Sequence, residues 1–231
     1  MLSRTKPFFS DSAFLKLADA NVIIFGVGGV GAWCAECLVR TGIRNITLVD
    51  FDTIAESNLN RQLEATSYNI GMPKADAMRQ RLLEICPDAN VTAIDGRYCE
   101  RTAPDYDLAA YDYVVDAIDS VPDKALLIMN ATLHERTVLF SSMGAARRVD
   151  PSKVRTVEFW QAKGCPLARA LRQRFKKTGV YPRKKFKVVY SDEPAVDMPE
   201  GMKGSLCHVT AVFGMQLAAN VINDLRLRYG C

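Results

Sequence analysis

The sequence predicts an α/β fold: a Rossmann-like, doubly wound, mostly parallel sheet with a C-terminal extension of mixed strands and a long closing helix. Three observations carry this. Short apolar runs alternate with helical patterns from residue 21 to residue 141. A glycine cluster, Gly26-Val27-Gly28-Gly29-Val30-Gly31, separates the first apolar run from the first long helical pattern. Asp50 closes the next apolar run, Ile46-Thr47-Leu48-Val49. Alternation at this spacing calls for right-handed crossovers and helices on both faces of a sheet. Ligands in such sheets lie beyond the carboxyl ends of the strands.

The elements follow in order. Phe8 to Leu17 reads as a short opening helix, capped by Ser10 or Asp11. Asn21 to Phe25 is the first strand, and Val30 to Thr41 a helix stopped by Gly42. Asn45 to Val49 is the second strand, followed by a polar loop from Phe51 to Ile70. Pro73 opens a helix that runs to Ile85. Asn90 to Ile94 and Tyr113 to Ala117 are strands, Val121 to Glu135 a helix and Thr137 to Ser141 a fifth strand. After Gly144 the rhythm changes: a strand at Val154 to Phe159, an amphipathic basic helix from Pro166 to Lys177, and a strand at Phe186 to Tyr190. A loop rich in Pro, Gly and acid spans Ser191 to Gly204, and Cys207 to Leu227 closes the chain as a helix. We expect one domain over 1–231, with a nucleotide-binding core at 1–144 and an elaboration at 145–231.

Composition narrows the class. At 231 residues and 48% hydrophobic, the chain can bury a full core. Its start has no apolar targeting segment, and the uncharged run around the glycines is too short to span a membrane. The cytoplasm is the expected location. Seven cysteines, an odd number, argue against a disulfide framework. Cys34 and Cys37 form one C-x-x-C with no second pair, so no structural zinc is expected. Both fall on the helix after the glycines, where they read as small core residues. Net charge is only +4, yet residues 159–191 contain no acid. Within them stand Lys163, Arg169, Arg172, Arg174, Lys176, Lys177, Arg183, Lys184, Lys185 and Lys187. The stretch 163–187 therefore suits a polyanion, although a solvated charged loop would look the same.

Glycines without side chains let backbone N–H groups approach a phosphate, with a helix dipole behind them. Such a loop serves many redox enzymes and by itself names no reaction. The residues after it discriminate. Asn58-Leu59-Asn60-Arg61-Gln62 follows Asp50 and Asp52, Lys74 opens the next helix, and Asp119 is placed at the end of the fourth strand. A nicotinamide site has no use for Arg61, Lys74 and Asp119 together. A triphosphate under cleavage does: the cations neutralise growing phosphate charge and the carboxylate can hold Mg²⁺.

The set Gly26-x-Gly28-Gly29-Val30-Gly31, Asp50-x-Asp52, Asn58-x-Asn60-Arg61-Gln62, Lys74 and Asp116-Ala117-Ile118-Asp119 resembles the ubiquitin-activating-enzyme-like (ThiF/MoeB/HesA) superfamily. Ser3-Arg4-Thr5, Ser141-Ser142-Met143-Gly144-Ala145, Asp150-Pro151-Ser152-Lys153, Cys165-Pro166-Leu167-Ala168 and Val188-Val189-Tyr190-Ser191 are similar to its tRNA threonylcarbamoyladenosine dehydratase branch. The resemblance implies ATP-dependent activation of a carboxylate as an acyl-adenylate, with Mg²⁺, on a modified adenosine of the tRNA anticodon loop, where an internal nitrogen then closes a ring. It implies that Gly28 to Gly31 hold phosphates and that Asp50 binds the ribose. Asn58 and Arg61 would meet the β- and γ-phosphates, Lys74 the α-phosphate, and Asp119 the Mg²⁺. Gly26, Asp52 and Gln62 complete the cofactor site. Arg4 resembles an arginine that such dimers supply to the neighbouring subunit, which implies a homodimer.

Each assignment has a plainer reading. Asp50 and Asp119 could be strand-end acids satisfied by loop N–H groups, and Arg61 could pair with Asp52. The sequence departs from its relatives in lacking two zinc pairs and in the short, cysteine-free segment 192–204. Cys165 and Cys207 are the cysteines expected outside the sheet core, with packing or loop roles. An alternative acceptor is the C-terminal glycine of a small ubiquitin-like sulfur carrier, so a sulfur-transfer protein is a possible partner. A third reading, an NAD(P)-dependent oxidoreductase, lacks any hydride-site pattern.

Overall fold

The computed structural model describes all residues except 200, 201, 203 and 231. The elements are α1 (Asp11–Asp19), β1 (Asn21–Phe25), α2 (Gly31–Thr41), β2 (Asn45–Asp50), α3 (Lys74–Ile85), β3 (Asn90–Asp95), β4 (Tyr113–Asp116), α4 (Val121–Ala131), β5 (Val138–Ser142), β6 (Val154–Glu158), α5 (Pro166–Thr178), β7 (Lys187–Ser191) and α6 (Cys207–Tyr229). Seven strands make one sheet in the order β3-β2-β1-β4-β5-β7-β6. All neighbours run parallel except β6, which pairs antiparallel with β7 at the edge. The elaboration is thus stitched into the core sheet, because β7 bonds directly to β5.

Side chains alternate across each strand. Val22 and Ile24 of β1 face one layer, packed with Leu38 of α2, Met78 of α3 and Phe213, Leu217 and Val221 of α6. Ile23 and Phe25 face the other, with Leu127 and Ile128 of α4 and Leu171 and Phe175 of α5. Both faces are therefore covered, as an all-apolar parallel strand requires.

Most boundaries fall within one or two residues of the sequence expectation, and four of the differences have a clear local reason. The opening helix starts at Asp11, not Phe8: the Ser10 hydroxyl accepts from Ala13 N–H, and Lys6–Phe8 form a separate 3-10 turn containing Pro7. Pro73 lies just outside α3 as its N-cap. Helix α4 ends at Ala131, not Glu135. Beyond it the Lys184 ammonium collects the carbonyls of His134, Glu135 and Thr137, which holds that segment out of the helix. Strand β4 ends at Asp116, so Asp119 lies on the following loop and is not the strand-end acid.

Cys34 is fully buried and desolvation raises its thiol well above the usual range, while Cys37 is half-buried one turn on. Cys165 is 2% exposed and packs in the layer beneath α5, which corrects its expected place outside the core. Cys207 is exposed at the first residue of α6.

Candidate active site

The carboxyl ends of β1, β2 and β4 open into a crevice of about 460 Å³. Its floor is the glycine turn. Gly26 has φ +89°, and a Cβ there would sit 2.8 Å from the Ala117 carbonyl oxygen. A Cβ on Gly31 would fall 1.8 Å from the Gly26 carbonyl oxygen, so no side chain fits at the start of α2. Gly28 and Gly29 instead face the crevice, beside Gln62 and Arg61 respectively. Among the described residues none accepts from the Gly28 or Gly29 N–H, which leaves both for an anion.

Asp50 ties this turn to β2. Its Oδ2 accepts from Val27 N–H at 2.6 Å and its Oδ1 from Asp52 N–H at 2.9 Å. Burial pushes its carboxyl up, and these two donors hold it down. The plainer reading is therefore partly right: loop N–H groups do satisfy this acid. A carboxylate has about four acceptor positions, so two stay open for hydroxyl donors.

The cations stand on the wall. Arg61 lines the crevice, its Nη1 donating to Ser57 O at 2.9 Å and Asn60 Oδ1 at 2.8 Å. It does not pair with Asp52. Lys74 does, with Nζ 2.8 Å from Asp52 Oδ2, and Lys74 is buried while the Asp52 side chain is 51% exposed. Asn58 uses its Oδ1 to accept from Ala55 N–H at 3.0 Å, and the residue lines the crevice. Gln62 is buried beside Gly28. Asp119 is exposed at the opposite lip.

Several residues in and behind the crevice make contacts that sequence spacing does not announce. Asp116 and Lys124 form an ion pair at 2.8 Å with both side chains fully buried. Asp116 also accepts from Ser141 Oγ at 2.6 Å and Ile118 N–H at 3.1 Å, and Lys124 donates to Ile118 O at 2.8 Å. Desolvation lowers the Lys124 ammonium below its usual range against the Asp116 charge. The pair therefore sets the loop that carries Asp119. Arg97 clamps Asp123 with bonds of 2.8 and 2.6 Å and lies over the Phe51 ring at 5.4 Å, forming a flat wall. Gly214 lets α6 cross α2 at backbone contact: a Cβ there would lie 2.3 Å from Val30 O. That crossing brings Thr210 against Gly29. Apart from the local Asp116–Lys124 pair, these contacts join distant segments, so no local spacing announces them.

Arg4 is exposed and outside this crevice. Its neighbour Leu2 packs near Gly42, at the far end of α2, about 16 Å of helix from the glycine turn.

The basic stretch divides. Arg172 donates to the carbonyls of Phe159 and Ala162, and Lys184 to those beyond α4, so both are structural. Lys163, Arg169, Arg174, Lys176, Lys177, Arg183, Lys185 and Lys187 are exposed. On α5 the apolar Ala168, Leu171 and Phe175 face the core, which leaves its cations outward. Among the described residues no helix is long and apolar enough to cross a membrane.

A doubly wound sheet, a glycine turn at its switch point and two cations over that turn define a nucleotide-binding protein of the adenylating type. The chain belongs to the ThiF family, whose profile matches residues 2–226. It is 36% identical over 212 residues to the tRNA threonylcarbamoyladenosine dehydratase of Escherichia coli, covering 90% of this chain and 78% of that protein. It is 32% identical over 240 residues to the Bacillus subtilis protein of the same name, covering 96% and 93%. The E. coli tRNA N6-threonylcarbamoyladenosine dehydratase solved with ATP superposes with a TM-score of 0.91 at 33% identity, covering 98% and 94% of the two chains. The molybdopterin-synthase adenylyltransferase of Salmonella typhimurium matches over only 58% of this chain.

Proposed function

We propose that this protein uses ATP to activate the carboxylate of threonylcarbamoyladenosine in tRNA and so drives its cyclisation. The observation that carries this is that Arg61, Lys74 and Asp119 line one crevice with the glycine turn. The full-length dehydratase relatives supply the acceptor.

The N–H groups of Gly28 and Gly29 receive phosphate oxygens at the positive end of α2. Asp50 takes the ribose hydroxyls on its open lone pairs. Asn58 and Arg61 hold the β- and γ-phosphates. Lys74 leaves Asp52 for the α-phosphate as charge builds there. A substrate carboxylate oxygen attacks the α-phosphorus, and the bond to pyrophosphate breaks. An internal nitrogen then attacks the acyl carbon and AMP leaves. Asp119, exposed at the lip, fits a Mg²⁺ that draws its other ligands from phosphates and water, and the ion would neutralise charge on the leaving pyrophosphate.

Arg4 cannot reach the crevice of its own chain across the length of α2. We assign it to the site of a second copy, which makes the active form a homodimer. The exposed cations of 163–187 contact the tRNA backbone. We read residues 1–144 and 145–231 as one functional domain, since β7 is bonded into the core sheet, and place it in the cytoplasm, where its tRNA substrate would be met.

AMP release with native tRNA, compared with tRNA lacking the threonylcarbamoyl group, tests this reading. Release only with the modified tRNA is expected, and Arg61→Ala or Asp119→Ala should abolish it. Release driven instead by a ubiquitin-like protein's terminal glycine, or binding of NADH without ATP, would overturn it.

A further inference from the structure

Two buried acceptors behind the crevice lack donors. Glu64 is 2% exposed, and no other described residue gives either of its carboxyl oxygens a hydrogen bond. Oε1 of Gln62, two residues earlier, is also buried and unpartnered. Unsatisfied buried acceptors are rare, and an unpaired buried carboxylate is costly. The charges that act on Glu64 are Lys74 from α3, Asp50 from the end of β2 and Arg61 from its own loop.

Lys74 is the partner of interest. It is 6% exposed, and its ammonium has three donors, of which one serves Asp52 at 2.8 Å. Among the described residues nothing accepts the other two. A buried cation with unused donors therefore lies within electrostatic reach of a buried acid with unused acceptors. Core packing alone would favour an apolar residue at position 64, since Leu63 beside it packs against the core.

We propose that Glu64 is a positioning residue for Lys74: its carboxylate is a second, buried acceptor for the ammonium, and capture there withdraws Lys74 from the nucleotide. This rests on Lys74 meeting ATP phosphate, as argued above. While Glu64 is uncharged, Lys74 is shared between Asp52 and the crevice. When Glu64 loses its proton to solvent, the ammonium gains a competing partner in a drier place than Asp52. Burial raises the Glu64 carboxyl to about 7. Its own backbone N–H opposes this most, then Lys74 and Arg61, while Asp50 pushes in the same direction as burial. The change of state therefore falls near neutral pH, and capture grows as pH rises.

The experiment is Mg-ATP binding to the full chain from pH 6 to 8.5, for wild type, Glu64→Gln and Glu64→Leu. Relative to either variant, the wild-type Kd should rise about tenfold across this range, the equivalent of one pKa unit of coupling. The nucleotide's own ionisation is common to all three and cancels in the ratio. The difference between wild type and Glu64→Gln should vanish when Lys74→Ala is added to both. Parallel pH profiles, or a difference that survives Lys74→Ala, overturn the proposal alone. Failure of every protein to bind Mg-ATP at any pH overturns the adenylating reading together with it.

Discussion

Two aspartate–lysine pairs flank the same crevice, each closed at 2.8 Å, yet one is dry and the other is half in water. Asp116–Lys124 is fully buried on both sides. Lys74–Asp52 joins a 7% exposed lysine side chain to a 51% exposed aspartate. The first is locked by Ser141 and by the backbone of Ile118, so removing either partner strands a charge in a dry core. The second has water at one end, so Asp52 tolerates the loss of its lysine and Lys74 can move. Sequence spacing treats the two pairs alike. Solvent access separates a structural pair from one that can open during a reaction.

The comparison breaks most directly at Lys124. Replacing it with Met should cost about 3–5 kcal/mol, read as a fall in the urea midpoint, because the Asp116 carboxylate is left unpaired. Wild-type stability in Lys124→Met would mean that the dry pair does not hold the loop. Lys74→Ala sharpens the other side. AMP release should fall roughly 10²–10³-fold, the usual effect of losing one electrostatic contact to the transition state. The unfolding free energy of Lys74→Ala, read from its urea midpoint, should change by no more than about 1 kcal/mol, as for a pair open to water.

Glu64 gives the next effect, and its sign is fixed. Its folded carboxyl stands at about 7 against an ordinary 4.5, so the folded state keeps a proton that the unfolded chain has lost. The stability that this proton confers is complete below 4.5 and is lost as pH climbs through 7. Glu64→Gln should therefore gain on wild type by roughly 2–3 kcal/mol between pH 4.5 and 8. Thermal melts across that range measure it, and a constant difference between the two proteins would contradict it. The smallest effect concerns the basic stretch. Lys176→Ala with Lys177→Ala should lower the salt dependence of tRNA binding by about one to two phosphate contacts while the melting temperature holds. Lys184→Ala should do the reverse, because that ammonium holds backbone carbonyls and not a ligand.

Much of the crevice was legible in the chain. The glycine turn, Asp50, Asp52, Asn58, Arg61, Gln62, Lys74 and Asp119 all line it, as their spacing along strand, turn and helix implied. Arg4 was not placed by spacing, and the structure leaves it at the far end of α2. Asp116 stood in the motif, but its pairing with Lys124 was not legible, because burial and not spacing decides it; Arg97 with Asp123, and Thr210 with Gly214, were invisible because each joins segments that only packing brings together. Glu64 gave no sign either: a glutamate in a polar loop reads as solvated until the fold closes over it.

By itself the chain determined the order of strands and helices, the need for glycine at the first turn and the presence of two cations after it. These depend on side-chain periodicity and backbone sterics, which act over a few residues. The tertiary structure alone decided which charges are dry, which are paired and which face the crevice. Such properties depend on how much water the folded layers exclude around each group, and no stretch of sequence carries that.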